Sequence, residues 1–282
     1  MTAWRFEDLL ADGMSRGQIA AAVRAGALHR VARGVYCEGP HPSLVDRLRA
    51  LFLVLPAGTA VAFHTAAELF GFGAVRHPLI HVCVPAGPCL PDIRGVRTHQ
   101  VVLPFGDPVD VSGLPCVPPE RAAIDLARVC TRPDALAVLD AALRSGACTR
   151  AALAEEVRRH EGLRGVRQAR EVLAMADPRA RTRPESHLRL IVADAGLPAP
   201  EPQLRVPGAG PSDEYTLALG WPDRRTGAEH DPWAHATPIE RRAERERDNW
   251  LAARGWNVRR FSEPDIVGRP GYVADIMRAA LA

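Results

Sequence analysis

The chain has no lysine; all 36 of its basic residues are arginine. Abundant alanine, glycine and proline beside that absence fit a GC-rich codon bias, but the absence also has a chemical consequence. It excludes nuclease motifs of the Glu-x-Lys kind, in which an ammonium orients water or stabilises charge. Long apolar runs are lacking too, and none approaches the ~18 residues of a membrane span. No Cys-x-x-Cys pair occurs among the cysteines at 37, 83, 89, 116, 130 and 148. That argues against zinc and thioredoxin-like sites and for reduced, mostly buried thiols. The N-terminus, Met1 to Asp8, lacks the basic-then-apolar layout of a secretion signal, so a cytoplasmic protein is expected. Excess charge is small, a formal +3, so any nucleic-acid face has to be a local cluster rather than a global field.

With 282 residues, 47% of them apolar and 24% charged, the chain has material for two or three compact units. The first 40 residues read as a small DNA-binding unit. A helix is expected from Trp4 to Ala11. Ser15 and Gln18 form a capping box opening a second helix with Ile19, Val23 and Leu28 on its apolar face, closed by Gly26. Leu28 to Tyr36 then alternates and turns at Gly34, as a two-stranded wing does. Helix, helix, ribbon is the order of a winged helix-turn-helix, which places a helix N-terminus in the major groove and basic wing residues on phosphate. Arg16 and Arg24 on the helix, with Arg30 and Arg33 on the wing, are the candidate contacts with duplex DNA. A solvated helix face and a hairpin used for protein contacts is the competing reading.

Residues 41–176 read as an α/β middle domain. Ser43 to Leu55 is an amphipathic helix, and Thr65 and Glu68 offer a capping box for a short helix ending near Gly71. His64 beside it is expected to be structural. Strands are expected at Leu79–Val84 and Val96–Leu103, and helices at Pro118–Cys130, Pro133–Arg144, Thr149–Arg159 and Gly165–Met175. The Arg- and Pro-containing stretch 177–182 is the expected linker to a domain at 183–282. There the order is a helix from Glu185, a strand near Gln203–Val206, a turn at Pro207–Ser212, and strands at Glu214–Trp221 and Thr226–Glu229. An arginine-rich helix opened by Thr237 and closed by Gly255, a strand at Trp256–Phe261 and a final helix from Gly271 follow.

That last order, with strands ending in carboxylates, is the layout of a metal-dependent phosphodiesterase core. Glu229 and Asp231 alternate on one strand, share a face and can both reach one cation, Mg²⁺ being the expected metal. Glu185 is either a further metal-site carboxylate or, three residues after Thr182, a capping-box residue; both roles stay open. His235 is a candidate general acid or base. Asp213 and Glu214 lie upstream as acids. The arginines of the 240–254 helix, among four acids, read as an ion-paired solvent face.

The whole chain resembles a family of actinobacterial AbiEi-type antitoxin-like proteins. The resemblance rests on Leu28–Tyr36, on His64–Gly71, on Pro119–Arg128, and on Glu185–Leu190, Leu219–Pro222, Glu229–Asp231 and Gly255–Phe261. It implies an N-terminal winged helix and a C-terminal domain related to very-short-patch-repair endonucleases, of the restriction-endonuclease-like fold. In that pattern the second strand reads Val-Asp-Leu-Gly-Trp-Pro and its aspartate is a metal ligand; this chain has Ala218 there. The third strand normally reads Glu-Tyr-Asp-Gly; here Pro232 follows Asp231. The acid of the long helix is Glu244, with Arg247 after it. The expected fold is therefore α/β (α+β): winged helix, α/β middle section and restriction-endonuclease-like domain. The expected function is DNA-binding, antitoxin-like regulation with a degenerate endonuclease site. The alternatives are a working Mg²⁺-dependent endonuclease and a protein-interaction module for a nucleotidyltransferase-like toxin partner.

Overall fold

The computed structural model describes residues 2–85, 92–100, 106–208, 214–231 and 237–282, leaving aside the side chains of Pro238, Glu240 and Arg241. The fold is α+β, in two compact units, 1–122 and 123–282. Cys89, Asp213, His235 and most of the expected 207–212 turn lie outside the described residues. No described helix is long and apolar enough to cross a membrane.

The first unit opens with strand β1 (Ala3–Arg5), helices α1 (Phe6–Ala11) and α2 (Arg16–Arg24), and strands β2 (Leu28–Ala32) and β3 (Val35–Glu38). The three strands form an antiparallel sheet in the order β1-β3-β2. The helix expected from Trp4 thus begins two residues later. Trp4 pairs with Tyr36 in the sheet, and the Asp8 carboxylate accepts from the Arg5 backbone N–H at 2.8 Å, fixing the helix start. The Ser15–Gln18 capping box forms in both directions, at 3.2 and 2.8 Å. Gly26 and Gly34 both take left-handed φ, +73° and +75°, where the chain leaves α2 and turns the hairpin. Leu9, Ile19, Leu28 and Tyr36 form the small core, with Trp4, Phe6 and Val23 packed on it.

Helix α3 (Leu44–Phe52), capped by Ser43, leads to β4 (Ala60–Val61), α4 (Phe63–Leu69), β5 (Ile80–Val84), β6 (Val96–Gln100), β7 (Val109–Val111) and β8 (Leu114–Cys116). These strands make a mixed five-stranded sheet ordered β6-β5-β4-β8-β7. Thr65 does not cap α4 as the spacing suggests. It is buried inside the helix, and its hydroxyl accepts the His81 backbone N–H of β5 at 2.8 Å. A tertiary donor outcompetes the local one.

The boundary between the units falls within α5 (Pro119–Val129), and the second unit continues with α6 (Arg132–Arg144), α7 (Arg150–Arg159) and α8 (Val166–Met175). Helix α9 (Arg183–Asp194) packs on α6, and the buried pair Arg189–Asp140 joins them at 2.7 Å. Asp140 also accepts the Asp177 backbone N–H at 2.7 Å. Strands β9 (Glu201–Pro207), β10 (Glu214–Trp221), β11 (Thr226–His230) and β12 (Asn257–Phe261) form one sheet, ordered β12-β11-β10-β9. Neighbours run antiparallel except β11 and β12, which are parallel across α10 (Pro238–Ala253). Two short helices, α11 (Glu263–Gly268) and α12 (Pro270–Ala280), finish the chain.

The sheet's two faces carry two separate cores, and β10 breaks strict alternation, since Leu217 and Leu219, two residues apart, lie in different ones. Leu219, Trp221, Ala228 and Phe261 face α9 and α12, in a core with Leu188, Val192, Val273 and Met277. Leu204, Val206 and Leu217 face the other way and pack with Leu251 of α10. Glu229, one residue after Ala228, consequently lies on the α10 side.

Candidate functional site

At the N-terminal unit, all four predicted DNA contacts are exposed or half-buried at the surface. Arg16 lies in the first turn of α2 with its guanidinium over the Phe6 ring, and Arg24 at the helix end. Arg30 sits on β2, its Nε donating to the Ala32 carbonyl at 3.4 Å, and Arg33 is at the hairpin turn. Arg24 and Arg33 have no ion-pair partner among the described residues. The arrangement presents two solvated cations on a helix and two on a hairpin, each element held by the same four-residue core.

At the C-terminal sheet the predicted carboxylates take different roles. Glu185 behaves as a cap: its Oε2 accepts the Arg181 N–H at 2.9 Å and its Oε1 receives the Thr182 hydroxyl at 3.2 Å. Gln203 adds a third donor to Oε2 at 2.8 Å. Glu229 is buried on β11, and Arg247 of α10 grips it with both guanidinium nitrogens, at 2.5 and 2.9 Å. Arg247 also donates to the Thr216 carbonyl of β10 at 3.1 Å and to Glu244 at 2.9 Å. Arg260 of β12 closes the cluster, donating to Glu244 and to Asp248 at 2.7 Å, with Glu229 at 3.5 Å. Burial works against the charge on Arg247, but the hydrogen bond and charge of Glu229, then those of Glu244, outweigh it and raise its pKa. Asp231 follows the strand, its backbone N–H donating to the Phe261 carbonyl at 2.9 Å.

A divalent cation would need oxygens converging without a competing cation. Among the described residues, Glu229, Glu185 and Ala218 do not fit one. Both Glu229 oxygens are taken by a guanidinium, Glu185 is committed to its cap, and Ala218 offers no ligand. Spacing alone did not reveal the Arg247–Glu229 pair. Arg247 lies three residues beyond Glu244, which reads as an ordinary helical ion pair, and nothing local says that it reaches β11.

Sequence reasoning also missed a histidine cluster in the first unit. His81 of β5 lies between His77, Nε2 to Nδ1 at 2.9 Å, and His99 of β6, Nδ1 to Nε2 at 3.0 Å. His64 packs against both His77 and His81, with ring centroids 4.9 Å apart in each case. Phe63 stacks on His99. Burial first, then the neighbouring His64, His99, His77 and Arg97, push the His81 pKa down to about 3, so this ring is neutral. Four of the chain's ten histidines fall within residues 64–99, and that density was the available signal.

Residues 59–175 match the AbiEi antitoxin C-terminal domain. The chain is 37% identical over 264 residues to the uncharacterized protein Rv2248 of Mycobacterium tuberculosis (strain ATCC 25618 / H37Rv), covering 93% of this chain and 95% of that one. The uncharacterized protein MT2308 of strain CDC 1551 / Oshkosh matches with the same identity and coverage. The crystal structure of the RV2827C protein from the same organism aligns over 62% of this chain and 72% of that one, at 21% identity and a TM-score of 0.44. The chain therefore belongs to the family of these mycobacterial proteins, and its residues 59–175 are similar to the AbiEi antitoxin C-terminal domain.

Proposed function

We propose that this is a DNA-binding, antitoxin-like regulator whose restriction-endonuclease-like domain has lost its nuclease site. The observation that carries DNA binding is the pair of arginine-bearing elements, α2 and the β2–β3 hairpin, on one small core, with Arg16, Arg24, Arg30 and Arg33 all at the surface. Helix, helix and a three-stranded sheet ending in a hairpin suit a winged helix, with α2 entering the major groove and Arg33 at the wing on phosphate. The match to an antitoxin domain supports a toxin as protein partner. Loss of nuclease function is supported by Ala218 and by the guanidinium on Glu229.

The test is binding of the purified chain to duplex DNA from upstream of its own gene, measured across a salt series. The Arg24→Ala/Arg33→Ala variant is expected to bind about tenfold or more weakly, with a salt slope shallower by roughly one for each phosphate no longer neutralised. An unchanged affinity and slope would remove the DNA-binding reading. In the same preparations, supercoiled DNA with Mg²⁺ or Mn²⁺ is expected to stay intact. Cleavage that disappears in Glu229→Ala would establish a working endonuclease instead.

A further inference from the structure

We propose that the first unit carries a binding pocket for a terminal phosphate monoester of the nucleotide class, beside α3, α4 and the segment entering β5. A cavity of ≈ 540 Å³ opens there, lined among others by Arg47 of α3, His64 and Glu68 of α4, and Arg76 and His77 ahead of β5. Arg47 and Arg76 have no ion-pair partner among the described residues. In the second unit, by contrast, Arg189, Arg247 and Arg260 are all matched with carboxylates. Two unmatched guanidiniums in one concave site supply the planar forked donors that suit a phosphate.

The histidines give the pocket a donor of fixed direction. The Leu79 backbone N–H donates to His77 Nδ1 at 3.2 Å, so that nitrogen is an acceptor without a proton. His81 Nε2, 2.9 Å from the same nitrogen, must then be the donor. A neutral His81 protonated at Nε2 accepts at Nδ1, so His99 Nε2 is the donor across 3.0 Å. The chain of three imidazoles runs one way, from His99 through His81 to His77, and leaves the His77 proton on Nε2. Its two ring nitrogens engaged on opposite sides, His81 is a relay of hydrogen bonds and not a ligand reaching for a metal.

Arg47, Arg76 and the His77 N–H make the pocket rich in donors, and Glu68 is its carboxylate. One carboxylate against two guanidiniums leaves a net positive site with a single strong acceptor. That asymmetry suits a ligand with a phosphate at one end and hydroxyl or amino donors at the other, which describes a nucleotide better than bare phosphate. The phosphate can come from a free mononucleotide or from the 5′ end of a polynucleotide. Neither source uses Arg16, Arg24, Arg30 or Arg33, so the pocket is separate from the DNA-binding reading.

Isothermal titration calorimetry on the full chain tests this, using the four ribonucleoside 5′-monophosphates, the matching nucleosides, and a short single strand with and without a 5′-phosphate. Binding is expected for at least one monophosphate or for the 5′-phosphorylated strand, and none for the nucleosides or the unphosphorylated strand. Which arm binds identifies the source. Arg47→Gln/Arg76→Gln is expected to weaken that binding about tenfold or more without changing the thermal midpoint of the free protein. Glu68→Gln is expected to weaken nucleotide binding while leaving inorganic phosphate unaffected or tighter. The proposal is overturned if no phosphorylated probe binds, if nucleosides or the unphosphorylated strand bind as well as their phosphorylated forms, or if the double arginine variant binds like the parent. Upstream duplex binding by that variant, unchanged from the parent, keeps the two readings apart.

Discussion

Arg247 holds Glu229 by both carboxylate oxygens, and each of the two side chains is only 12% exposed. Removing one member of such a pair leaves the other charged and nearly buried, which costs more than the pair itself contributes. Arg247→Ala is expected to lower unfolding stability by about 2–4 kcal/mol in urea titration. Arg247→Met combined with Glu229→Leu, which removes both charges and keeps the volume, is expected to recover at least half of that loss. A double variant as unstable as the sum of the singles would mean that the pair is not coupled in this way.

Gly220 sets a second local demand on the same sheet. A Cβ built there would overlap Leu204 Cδ2 and lie 2.7 Å from Leu204 Cβ, on the neighbouring strand β9. The clash reaches the root of the leucine side chain, so rotation alone cannot relieve it. Gly220→Ala is expected to destabilise by about 1–3 kcal/mol through overpacking. Leu204→Ala would keep the Cβ that makes the 2.7 Å contact, whereas Leu204→Gly empties the contested space. Leu204→Gly combined with Gly220→Ala should therefore be more stable than the sum of the two losses predicts, as thermal melts of the four proteins will show.

Much of this fold was legible because its signals are local. Ser15 with Gln18, Gly26, Gly34 and Gly255 mark their boundaries, and α6 to α9 begin and end within two residues of the spans expected. The misses are places where a distant group decides. Strand β1 exists because Tyr36 pairs with Trp4, and Thr65 leaves its capping role because the His81 N–H reaches it from another strand. The short strands β4, β7 and β8 have too few residues for alternation to register. At the candidate site the carboxylates could be named from alternation. Their partners could not, since Arg247 is separated from Glu229 by 18 residues and Arg260 from Asp248 by 12.

The buried His81 makes the first unit sensitive to acid. Its folded pKa is depressed to about 3, chiefly by burial, against an ordinary value of 6.5. Between those values the unfolded chain binds a proton at this position and the folded chain does not, so stability rises with pH across that window and is lost as pH falls. The contribution is at most about 1.4 kcal/mol per pH unit. Chemical unfolding of the parent and of His81→Gln between pH 7 and pH 4 is expected to show a shallower slope for the variant. Parallel slopes would mean that His81 does not stay neutral in the folded state.

Ala218 and Arg247 bear on the same vacant position. Ala218 of β10 adjoins Leu219, whose partner Ala228 directly precedes Glu229 on β11, while Arg247 holds the Thr216 carbonyl two residues back along β10. An aspartate restored at 218 would therefore meet a guanidinium before it met a metal. Ala218→Asp alone is expected to gain no stabilisation from Mn²⁺, because the new carboxylate pairs with Arg247. With Arg247→Ala added, the new carboxylate forms an acid cluster with Glu229 and Glu244, free of that cation. Mn²⁺ at about a hundred times its dissociation constant would then stabilise the double variant by roughly 3 kcal/mol. Differential scanning calorimetry with Mn²⁺ and with chelator separates these cases. A metal-dependent rise in the single variant would show that Arg247 yields readily, and that the missing aspartate alone separates this site from a metal-binding one.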